Sequence, residues 1–354
     1  PRDFLDLAAL GTICDMVPLL DVNRVIAHKG IDALRATTRP GLIALKNVAR
    51  VPQTARFGSS HVGFGLGPRI NAAGRLADAA EAIELLVTTD SRRAEAIARK
   101  IDTLNADRQA IEARMKEECV KILDRAPELL ERGAFAIFGE HFHTGVIGIV
   151  AQRLTEAHYR PSAIMAPGEV KKGDSTVRII KGSVRSVPGF HVAQALQSLD
   201  HLLLSHGGHA EAGGFSVSYE NLAAFQEGFI SLAERLISSD GRTRPVVCDL
   251  EASFAQVDFK LAEELTTLSP FGVANPSPIF VAKNVGVEGA SPLGETHLRL
   301  RLQEQTTNHT AVAWNMRGNS LLQKGRRINV AFSPELNTYQ GVTSVQLHIK
   351  DVWE

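Results

Sequence analysis

The chain has 354 residues, of which 44% are hydrophobic and 22% are charged, as in an ordinary globular protein. This length predicts two or three domains, and no apolar run approaches the roughly 18 residues that span a bilayer. The 39 basic and 39 acidic side chains cancel, which argues against nonspecific coating of duplex nucleic acid. Cys14, Cys119 and Cys248 form no CxxC pair, so we expect neither a cysteine zinc site nor a disulfide framework. We expect a cytoplasmic location.

Residues 1–89 predict a mostly helical region that glycine and proline interrupt. Helix-like apolar spacing begins directly after Pro1, which is not a start methionine, so we expect the chain to be a piece of something longer. Asp15 stands among apolar neighbours just ahead of Pro18, and we expect it to be at least partly buried. A buried carboxylate needs a cation or hydrogen bonds, so a metal ligand, a helix cap and a salt bridge are all open.

The segment 63–75 combines glycines and small residues with side chains suited to phosphate. Arg69 and Arg75 offer forked donors, and Asn71 adds an amide. A solvent-facing turn with incidental arginines is the alternative for this segment.

Residues 90–132 predict a long connector helix that begins near Asp90 or Ser91 and reaches about Leu130. The stretch from Ser91 contains no glycine, and its apolar side chains recur every three to four residues, with charged residues between them. About 35 helical residues would span roughly 50 Å. We therefore expect the helix to join two domains.

Residues 133–240 predict an α/β domain, because strand-like and helix-like segments alternate. Residues 238–245 have the composition of a linker, and residues 243–354 predict a small β-barrel from their short alternating segments. The predicted strands are 134–138, 162–166, 179–187, 246–250, 279–287, 297–302, 310–314, 327–332 and 342–352, and the predicted helices of the α/β domain are 146–154, 192–199 and 221–237.

Two segments of the α/β domain are candidates for binding an anion. Ser183 and Arg185 point to the same face of their strand, so a hydroxyl and a guanidinium can together hold a terminal phosphate. Residues 205–214 contain four glycines and two histidines and predict a loop, whose amides and imidazoles can donate to phosphate. A tight turn without a ligand is the alternative for this loop. Its candidate ligands are Gly207, Gly208, His209, Gly213 and Gly214.

Taken together, five collinear segments resemble the RecJ family of single-strand-specific 5′→3′ DNA exonucleases, within the DHH phosphoesterase superfamily. The resemblance implies an α/β fold with a remnant of a DHH catalytic domain, a long connecting helix, a DHH-associated substrate-binding domain and a C-terminal barrel of the OB type. The segments are 10–19 (the last acidic motif), 67–75 (the arginine motif), 182–186 and 207–214 (the DHH-associated domain) and 270–280 (the start of the barrel).

The resemblance also implies a metal-dependent phosphodiesterase of DNA repair and recombination, usually with two Mn²⁺ or Mg²⁺ ions. Asp15 would then be a catalytic metal ligand, and His209 with its glycines would contact phosphates near the scissile bond. Ser183 with Arg185 would hold the 5′-phosphate. The backbone of the strand would be held by Arg69, Asn71 and Arg75.

The acidic motifs that should precede these segments, including an Asp-His-His triplet, do not occur in the sequence. Asp15 alone cannot hold two divalent ions, so we expect this chain to be inactive as a nuclease. One alternative is a module that only binds single-stranded nucleic acid, with Trp314 and Tyr339 as the few aromatic candidates for base stacking. Another is a small-oligonucleotide phosphodiesterase. The expected partners are single-stranded DNA and, by family, a single-strand-binding protein or a helicase; we expect a monomer that does not bind membranes.

Overall fold

The structure is a computed structural model, and contacts divide its chain into two units. No helix in the described part of the chain is long and apolar enough to cross a bilayer. The structure describes residues 2–52, 57–173, 175–238 and 243–354, so residues 239–242 of the predicted linker at 238–245 lie outside the described residues. The first unit comprises residues 1–37, 51–64 and 245–354, and the second comprises 38–50 and 65–244.

The prediction of a mostly helical region over residues 1–89 is confirmed. In the first unit, α1 (Leu5–Cys14) packs closely against α2 (Asp21–Arg35). A Cβ added to Gly30 of α2 would lie 2.2 Å from the Cβ of Ala9 on α1, so only glycine permits this approach. The helices of this region in the second unit are α3 (Pro40–Val48), α4 (Gly67–Leu76) and α5 (Ala80–Val87).

The long helix is confirmed as α6 (Ser91–Arg125), in the second unit. The Asp90 carboxylate caps it by accepting hydrogen bonds from the backbone amides of Arg92 and Arg93, at 2.8 and 3.2 Å. The helix ends at Arg125 rather than near Leu130, because the residue before Pro127 is disfavoured in helical conformation. α6 packs against α3, α4 and α5 within its own unit, and its role as a connector stays a prediction.

The α/β prediction for the second unit is confirmed by a sheet of strand order β1-β2-β3-β5-β4. β1 is parallel to β2, and the other neighbours are antiparallel. β3 begins at Ser175, earlier than predicted, because it continues a hairpin with β2. The strands are β1 (Phe135–Phe138), β2 (Ser162–Lys172), β3 (Ser175–Arg185), β4 (Leu203–Gly208) and β5 (Ala212–Val217), and the helices are α7 (Ile147–His158), α8 (Val192–Ser198) and α9 (Leu222–Leu236).

The two faces of this sheet carry different helices. α7 packs on β2 and β3 from one side. On the other side, Val184 of β3 and Phe215 and Val217 of β5 join a buried core that includes Phe225 and Phe229 of α9. Alternate residues of β3 and β5 therefore face the α9 core, and the residues between them face α7.

The prediction of a loop over 205–214 is wrong, because β4 and β5 form an antiparallel hairpin there. Only residues 209–211 lie between the two strands. Gly208 and Gly213 make this close turn possible: an added Cβ would lie 2.4 Å from the carbonyl oxygen of Ala212 and 2.7 Å from Cγ1 of Val192, respectively. Glycine in this segment thus favours strand pairing rather than a loop.

The barrel prediction is confirmed in the first unit by a closed sheet of order β7-β8-β9-β11-β10, in which β10 also pairs with β7. Of the predicted strand at 246–250, only its end is in a strand, as the short β6 (Leu250–Glu251) parallel to β7. The sequence analysis missed α10 (Phe259–Thr266). The barrel strands are β7 (Phe280–Leu293), β8 (His297–Glu304), β9 (Thr307–Ala313), β10 (Arg327–Tyr339) and β11 (Val342–Trp353).

Candidate anion-binding site

Ser183 and Arg185 lie next to each other at the end of β3, on the face that α7 covers. Nη1 of Arg185 donates to Oγ of Ser183 at 3.0 Å and to the carbonyl oxygen of Val184 at 2.8 Å. The prediction that these two side chains share a face is therefore confirmed. One guanidinium edge is held in place, which orients the group toward the space beneath α7.

The first turn of α7 approaches this pair through Gly148. A Cβ at Gly148 would lie 3.1 Å from both Oγ of Ser183 and Nη2 of Arg185, closer than most real Cβ contacts, so these side chains would have to shift. Among the described residues, none accepts a hydrogen bond from the amide of Gly148, which is one of the unpaired donors of the first helical turn. Glycine thus lets the positive end of the helix dipole approach the guanidinium and hydroxyl.

Arg75 reaches the same space from the last turn of α4. Its Nη1 donates to the carbonyl oxygen of Gly145 at 3.1 Å. A Cβ at Gly145 would lie 2.3 Å from the carbonyl oxygen of Arg75, so this contact also depends on glycine. Two elements far apart in sequence therefore bring Arg75 and Arg185 to one place.

These groups line a pocket of about 440 Å³ in the second unit. Of its described lining residues, the ones with a permanent charge, Arg75, Lys181 and Arg185, are all positive. The remaining lining residues are small or polar for the most part, which leaves room above the sheet. They are Thr144, Gly145, Ile147, Gly148, Gly182, Ser183, Ser205, His206, Gly214, Phe215 and Ser216.

The two arginines of the pocket are held together against their mutual repulsion. Burial lowers the pKa of Arg185, and the charge of Arg75 lowers it further. Burial likewise lowers the pKa of Arg75, the charge of Arg108 lowers it further, and Glu112 partly offsets this. A desolvated pair of like charges is stabilised when an anion binds between them. The electrostatics of the pocket therefore favour an anionic ligand.

A hydrogen-bonded network on α6 lies near Arg75, whose pKa its Arg108 and Glu112 shift in opposite directions. Arg108 donates to Oε2 of Glu112 at 2.6 Å and to Oδ1 of Asn105 at 2.7 Å. Arg153 of α7 donates to the other oxygen of Glu112 at 3.2 Å. The side chains of Arg108 and Glu112 are only 10% and 15% exposed. This network ties α6 to α7, the helix whose first turn forms the wall of the pocket.

The four glycines predicted as ligands divide into two kinds. Gly208 and Gly213 are required by the hairpin, as described above, and lie outside the pocket lining. Gly214 lines the pocket, and a Cβ there would meet only the carbonyl oxygen of Gly182, at an ordinary 3.7 Å. Gly207 has no heavy atom within 4 Å of an added Cβ. Packing therefore does not require glycine at 207 and 214.

The other predicted residues of the arginine motif lie outside the pocket lining. Nε of Arg69 forms an ion pair with Asp102 of α6 at 2.8 Å, and its Nη1 donates to the carbonyl oxygen of Gly65 at 2.7 Å. Asn71 is exposed on α4, one helical turn before Arg75. Contacts of Arg69 and Asn71 with a DNA strand stay predictions.

The rings of the two hairpin histidines do not face the pocket. His209 is exposed in the turn, and its Nδ1 accepts a long hydrogen bond from the amide of Glu211 at 3.4 Å. His206 pairs across the strands with Phe215, so its ring lies on the α9 side, where Nε2 is 3.1 Å from Oδ1 of Asp200. The catalytic role of His209 stays a prediction.

The sequence analysis missed Lys181, Ser205 and Ser216 of the pocket. Lys181 precedes Ser183 by two residues, so strand alternation alone could have placed it on the same face. Ser205 and Ser216 could not be placed without the register of β4 and β5. Thr144 and Gly148 come from a segment that had no recognisable ligand pattern.

Asp15 is exposed, so the expectation of a partly buried carboxylate is wrong. It ends α1, and the following residue, Met16, adopts a positive φ of 53° and is 72% exposed, so the chain turns away from the apolar neighbours. Burial, with the nearby Asp15 charge, raises the pKa of the Cys14 thiol to about 11. Among the described residues, no three His, Cys, Asp or Glu side chains are grouped to hold a metal ion. The residues present therefore do not fit a two-metal centre.

The barrel presents an aromatic and basic surface in the first unit. Trp314 follows β9, is 46% exposed, and packs edge-to-face on His297 and His348, with ring centroids 4.7 and 6.1 Å apart. Arg299 and Arg301 point outward from β8, between barrel-core leucines. This surface combines a planar side chain with two guanidinium groups.

Tyr339 is 72% exposed but lies at a different place on the barrel. It pairs with Val342 at the start of β11, whereas the β9–β11 register brings Trp314 level with about Lys350. The difference of about eight residues corresponds to roughly 26 Å along the strand. The structure therefore does not bring the two predicted stacking residues together.

Comparisons with known proteins match both domains. Residues 131–235 match the DHHA1 domain, and residues 248–351 match the RecJ OB domain. The chain is 32% identical over 357 residues to the single-stranded-DNA-specific exonuclease RecJ of Bacillus subtilis and 33% identical over 362 residues to that of Escherichia coli. Each alignment covers 99% of this chain, but 44% and 61% of those relatives.

Solved structures agree with this assignment. The crystal structure of Thermus thermophilus RecJ in complex with Mn²⁺ superposes with a TM-score of 0.84 at 32% identity, covering 100% of this chain and 50% of that one. The complex of the same protein with Mg²⁺ gives a TM-score of 0.82. The chain thus spans about half the length of the relatives it matches. With its DHHA1 and RecJ OB domains and this alignment along its whole length, the chain is similar to about half of a RecJ exonuclease.

Proposed function

We propose that this chain supplies the single-strand-binding part of a RecJ-type 5′→3′ exonuclease. Its pocket holds the terminal 5′-phosphate of a DNA strand, and its barrel contacts nucleotides of that strand. The intact protein hydrolyses phosphodiester bonds in DNA repair and recombination, with Mn²⁺ or Mg²⁺ as its metal.

The observation that carries this proposal is the positively charged pocket formed by Arg75, Ser183 and Arg185. A terminal phosphate carries more charge than a phosphodiester and has three strong acceptor oxygens. Two guanidinium groups, a hydroxyl and the free amide of Gly148 offer more than enough donors for it. Because the arginines repel each other in the free pocket, a dianion gains from both.

The barrel supports a strand rather than a small molecule as the ligand. Barrels of this type bind single strands by stacking bases on aromatic side chains and placing cations near phosphates. Trp314 with Arg299 and Arg301 provides such a surface. The relatives are described as specific for single-stranded DNA, and this surface is compatible with the same substrate.

Hydrolysis is not assigned to the residues of this chain. Asp15 is a single exposed carboxylate, and two divalent ions need several oxygen ligands each. The chain on its own therefore acts as a binding module, the second candidate of the sequence analysis. The barrel argues against the third, a small-oligonucleotide phosphodiesterase, because it suits a longer strand.

The proposal is tested by binding of the 354-residue chain to oligo(dT) that carries either a 5′-phosphate or a 5′-hydroxyl, with a dye at the 3′ end and a fixed salt concentration. We expect the phosphorylated strand to bind about tenfold more tightly, because one charge-assisted phosphate contact is worth roughly 1.5–3 kcal/mol. Arg185→Met should abolish this preference.

Arg114→Met is the matched control, since Arg114 is an exposed arginine of α6 outside the pocket lining. It should keep the preference for the 5′-phosphate. Equal binding of both strands by the unmodified chain would refute the assignment of the pocket to a terminal phosphate.

Four further expectations stay predictions. They are a cytoplasmic location, a monomeric state, contact with a single-strand-binding protein or helicase, and the choice between Mn²⁺ and Mg²⁺.

A further inference from the structure

We propose that Lys181, Ser216 and Ser205 form a second anion subsite beside the terminal-phosphate pocket. This subsite takes the first phosphodiester of the strand, so the smallest ligand that fills the whole site is a 5′-phosphorylated dinucleotide. The inference rests on the proposed function and adds the size of the ligand to it.

The strand register places these three residues in one row across the sheet. Lys181 of β3 pairs with Ser216 of β5, and Ser216 pairs in turn with Ser205 of β4. Directly opposite residues of antiparallel strands point to the same face. The three side chains therefore form a continuous polar row of one ammonium and two hydroxyl groups.

The row faces the pocket rather than the core. Lys181 alternates with Ile180, which is fully buried in the α9 core, and Ser216 lies between Phe215 and Val217 of the same core. All three residues of the row also line the pocket that contains Ser183 and Arg185. The row and the terminal-phosphate groups are thus two parts of one surface.

The spacing between the two parts fits consecutive phosphates of a strand. Lys181 and Ser183 are separated by one residue of β3, which corresponds to roughly 6.6 Å. The phosphates of a pyrophosphate share one oxygen and are too close to reach both rows. Consecutive phosphates of a nucleotide strand have a whole sugar between them and can reach both.

The surface of the sheet beside this polar row carries no bulky side chain. The row next to Lys181–Ser216–Ser205 consists of Ser183, Gly214 and Gly207. Neither glycine has a positive φ, and a Cβ at either would meet no atom closer than 3.7 Å. Glycine in a strand interior lowers stability by about 0.5–1 kcal/mol relative to alanine. A ligand backbone that lies directly on the strands explains why an unneeded glycine is found at 214, where the chain lines the pocket.

The stem of Lys181 is held in place. A Cβ at Gly168 of β2 would lie 2.8 Å from Cγ of Lys181, so the aliphatic chain runs directly over this glycine. The side chain is nevertheless exposed as a whole, and no ion pair joins it to a described residue. The ammonium is therefore available for a phosphate.

The test compares three ligands of increasing length: inorganic phosphate, thymidine 5′-monophosphate and the dinucleotide pdTpdT. Calorimetric titration of the full chain measures each affinity. We expect Lys181→Met to weaken binding of pdTpdT about tenfold, as for loss of one charged contact, and to leave the two smaller ligands within twofold. The salt dependence of pdTpdT binding should fall by roughly 0.7 in log–log slope. Lys181→Arg should restore most of the loss.

Lys171→Met serves as the matched control, because Lys171 is an exposed lysine of the same sheet outside the pocket lining. It should leave all three ligands unchanged. The inference is overturned if Lys181→Met leaves pdTpdT binding unchanged, or if it weakens the monophosphate as much as the dinucleotide. Failure of the proposed function gives a different result: Arg185→Met would then leave inorganic phosphate and the monophosphate unaffected.

Gly214→Ala provides an independent test of the sheet surface beside the polar row. The methyl group fits the free protein, so the thermal unfolding midpoint should not fall. Binding of pdTpdT should weaken at least severalfold, and binding of inorganic phosphate should change less. Unchanged pdTpdT binding would contradict a ligand that lies on the strands at this glycine.

Discussion

The pocket of the α/β sheet and the outer surface of the barrel present cations in opposite ways. In the pocket, Arg75 and Arg185 are partly desolvated, the charge of Arg75 lowers the pKa of Arg185, and glycines bring helix and strand close to them. On the barrel, Arg299 and Arg301 are exposed on one strand, near Trp314. The pocket is suited to a single, highly charged group, whereas the barrel surface is suited to repeated, weakly discriminating contacts. On the proposed function, we therefore expect one region to recognise the end of a strand and the other to recognise its length.

The largest effect that separates the two regions is expected from Trp314→Ala. Loss of one stacked base lowers the binding free energy by about 1–3 kcal/mol. Affinity for a long oligo(dT) should therefore fall by roughly 5- to 150-fold, while the ratio between the 5′-phosphorylated and 5′-hydroxyl strands stays the same. Fluorescence anisotropy with both strands measures the two quantities at once.

Tyr339→Ala is the matched aromatic control for Trp314, because it removes an exposed ring about eight residues away along the barrel. Tyr339→Ala should lower the affinity for long strands less than Trp314→Ala does. A larger effect for Tyr339 would move the DNA-contacting surface to the β10–β11 hairpin.

A smaller effect is expected from Gly148→Val, and it should concern the 5′-phosphate preference rather than the affinity for long strands. The added groups would begin 3.1 Å from Oγ of Ser183 and Nη2 of Arg185 and displace the guanidinium. The preference for a 5′-phosphate should fall from about tenfold to less than about twofold, with long-strand affinity otherwise retained. Gly148→Ala should give an intermediate value.

Gly74→Ala is the control for Gly148, since a Cβ at this helical glycine meets only Ala79, at 3.7 Å. It should leave binding unchanged. If Gly148→Val kept the full preference, the phosphate would have to bind away from the first turn of α7.

The smallest effect is a pH dependence confined to the barrel. Burial lowers the pKa of His348, Glu335 counteracts this, and Lys350 adds to it. Since the pKa is lower in the folded than in the unfolded state, His348 contributes full stability above the ordinary histidine pKa of about 6.5 and less as the pH falls below it. His348→Gln should flatten the decline in unfolding free energy between pH 7.5 and 5.5 by about 1 kcal/mol or less.

Urea unfolding of the full chain, followed by tryptophan fluorescence, measures this difference. The groups that act on His348 are Trp314, Glu335 and Lys350, and Glu335→Gln should steepen the decline by removing the carboxylate that favours the charged ring. An identical pH profile for all three proteins would exclude His348 as the titrating group. The arginines of the pocket do not titrate in this range, so a pH dependence of the 5′-phosphate preference would follow the second ionisation of the phosphate, near pH 6, and should not change in His348→Gln.

The sequence was informative where local periodicity determines the geometry. Alternation along one strand placed Ser183 and Arg185 together, and helical spacing gave α6 with its cap at Asp90. It was less informative where geometry depends on which strands pair. The register of β3, β5 and β4 places Ser216 and Ser205 beside Lys181, and no pattern within one segment contains that information.

Asp15 and His209 show a second limit. Apolar neighbours in sequence predicted burial of Asp15, but the positive φ of Met16 turns the chain outward at that point. Glycine and histidine together suggested an anion-binding loop, whereas two of the four glycines serve hairpin formation, and His209 lies in the turn beyond the pocket lining. Composition identified the correct region of the chain, but not which of its atoms face the ligand.

The different roles of the four hairpin glycines predict which of them can be replaced during evolution. Any relative that keeps the hairpin must keep Gly208 and Gly213, because side chains there would collide with Ala212 and Val192. Substitutions at Gly207 and Gly214 meet no such barrier and would raise strand stability. On the proposed subsite, we therefore expect descendants that keep the fold but no longer bind a strand to lose the pocket glycine at 214 while they keep Gly208 and Gly213.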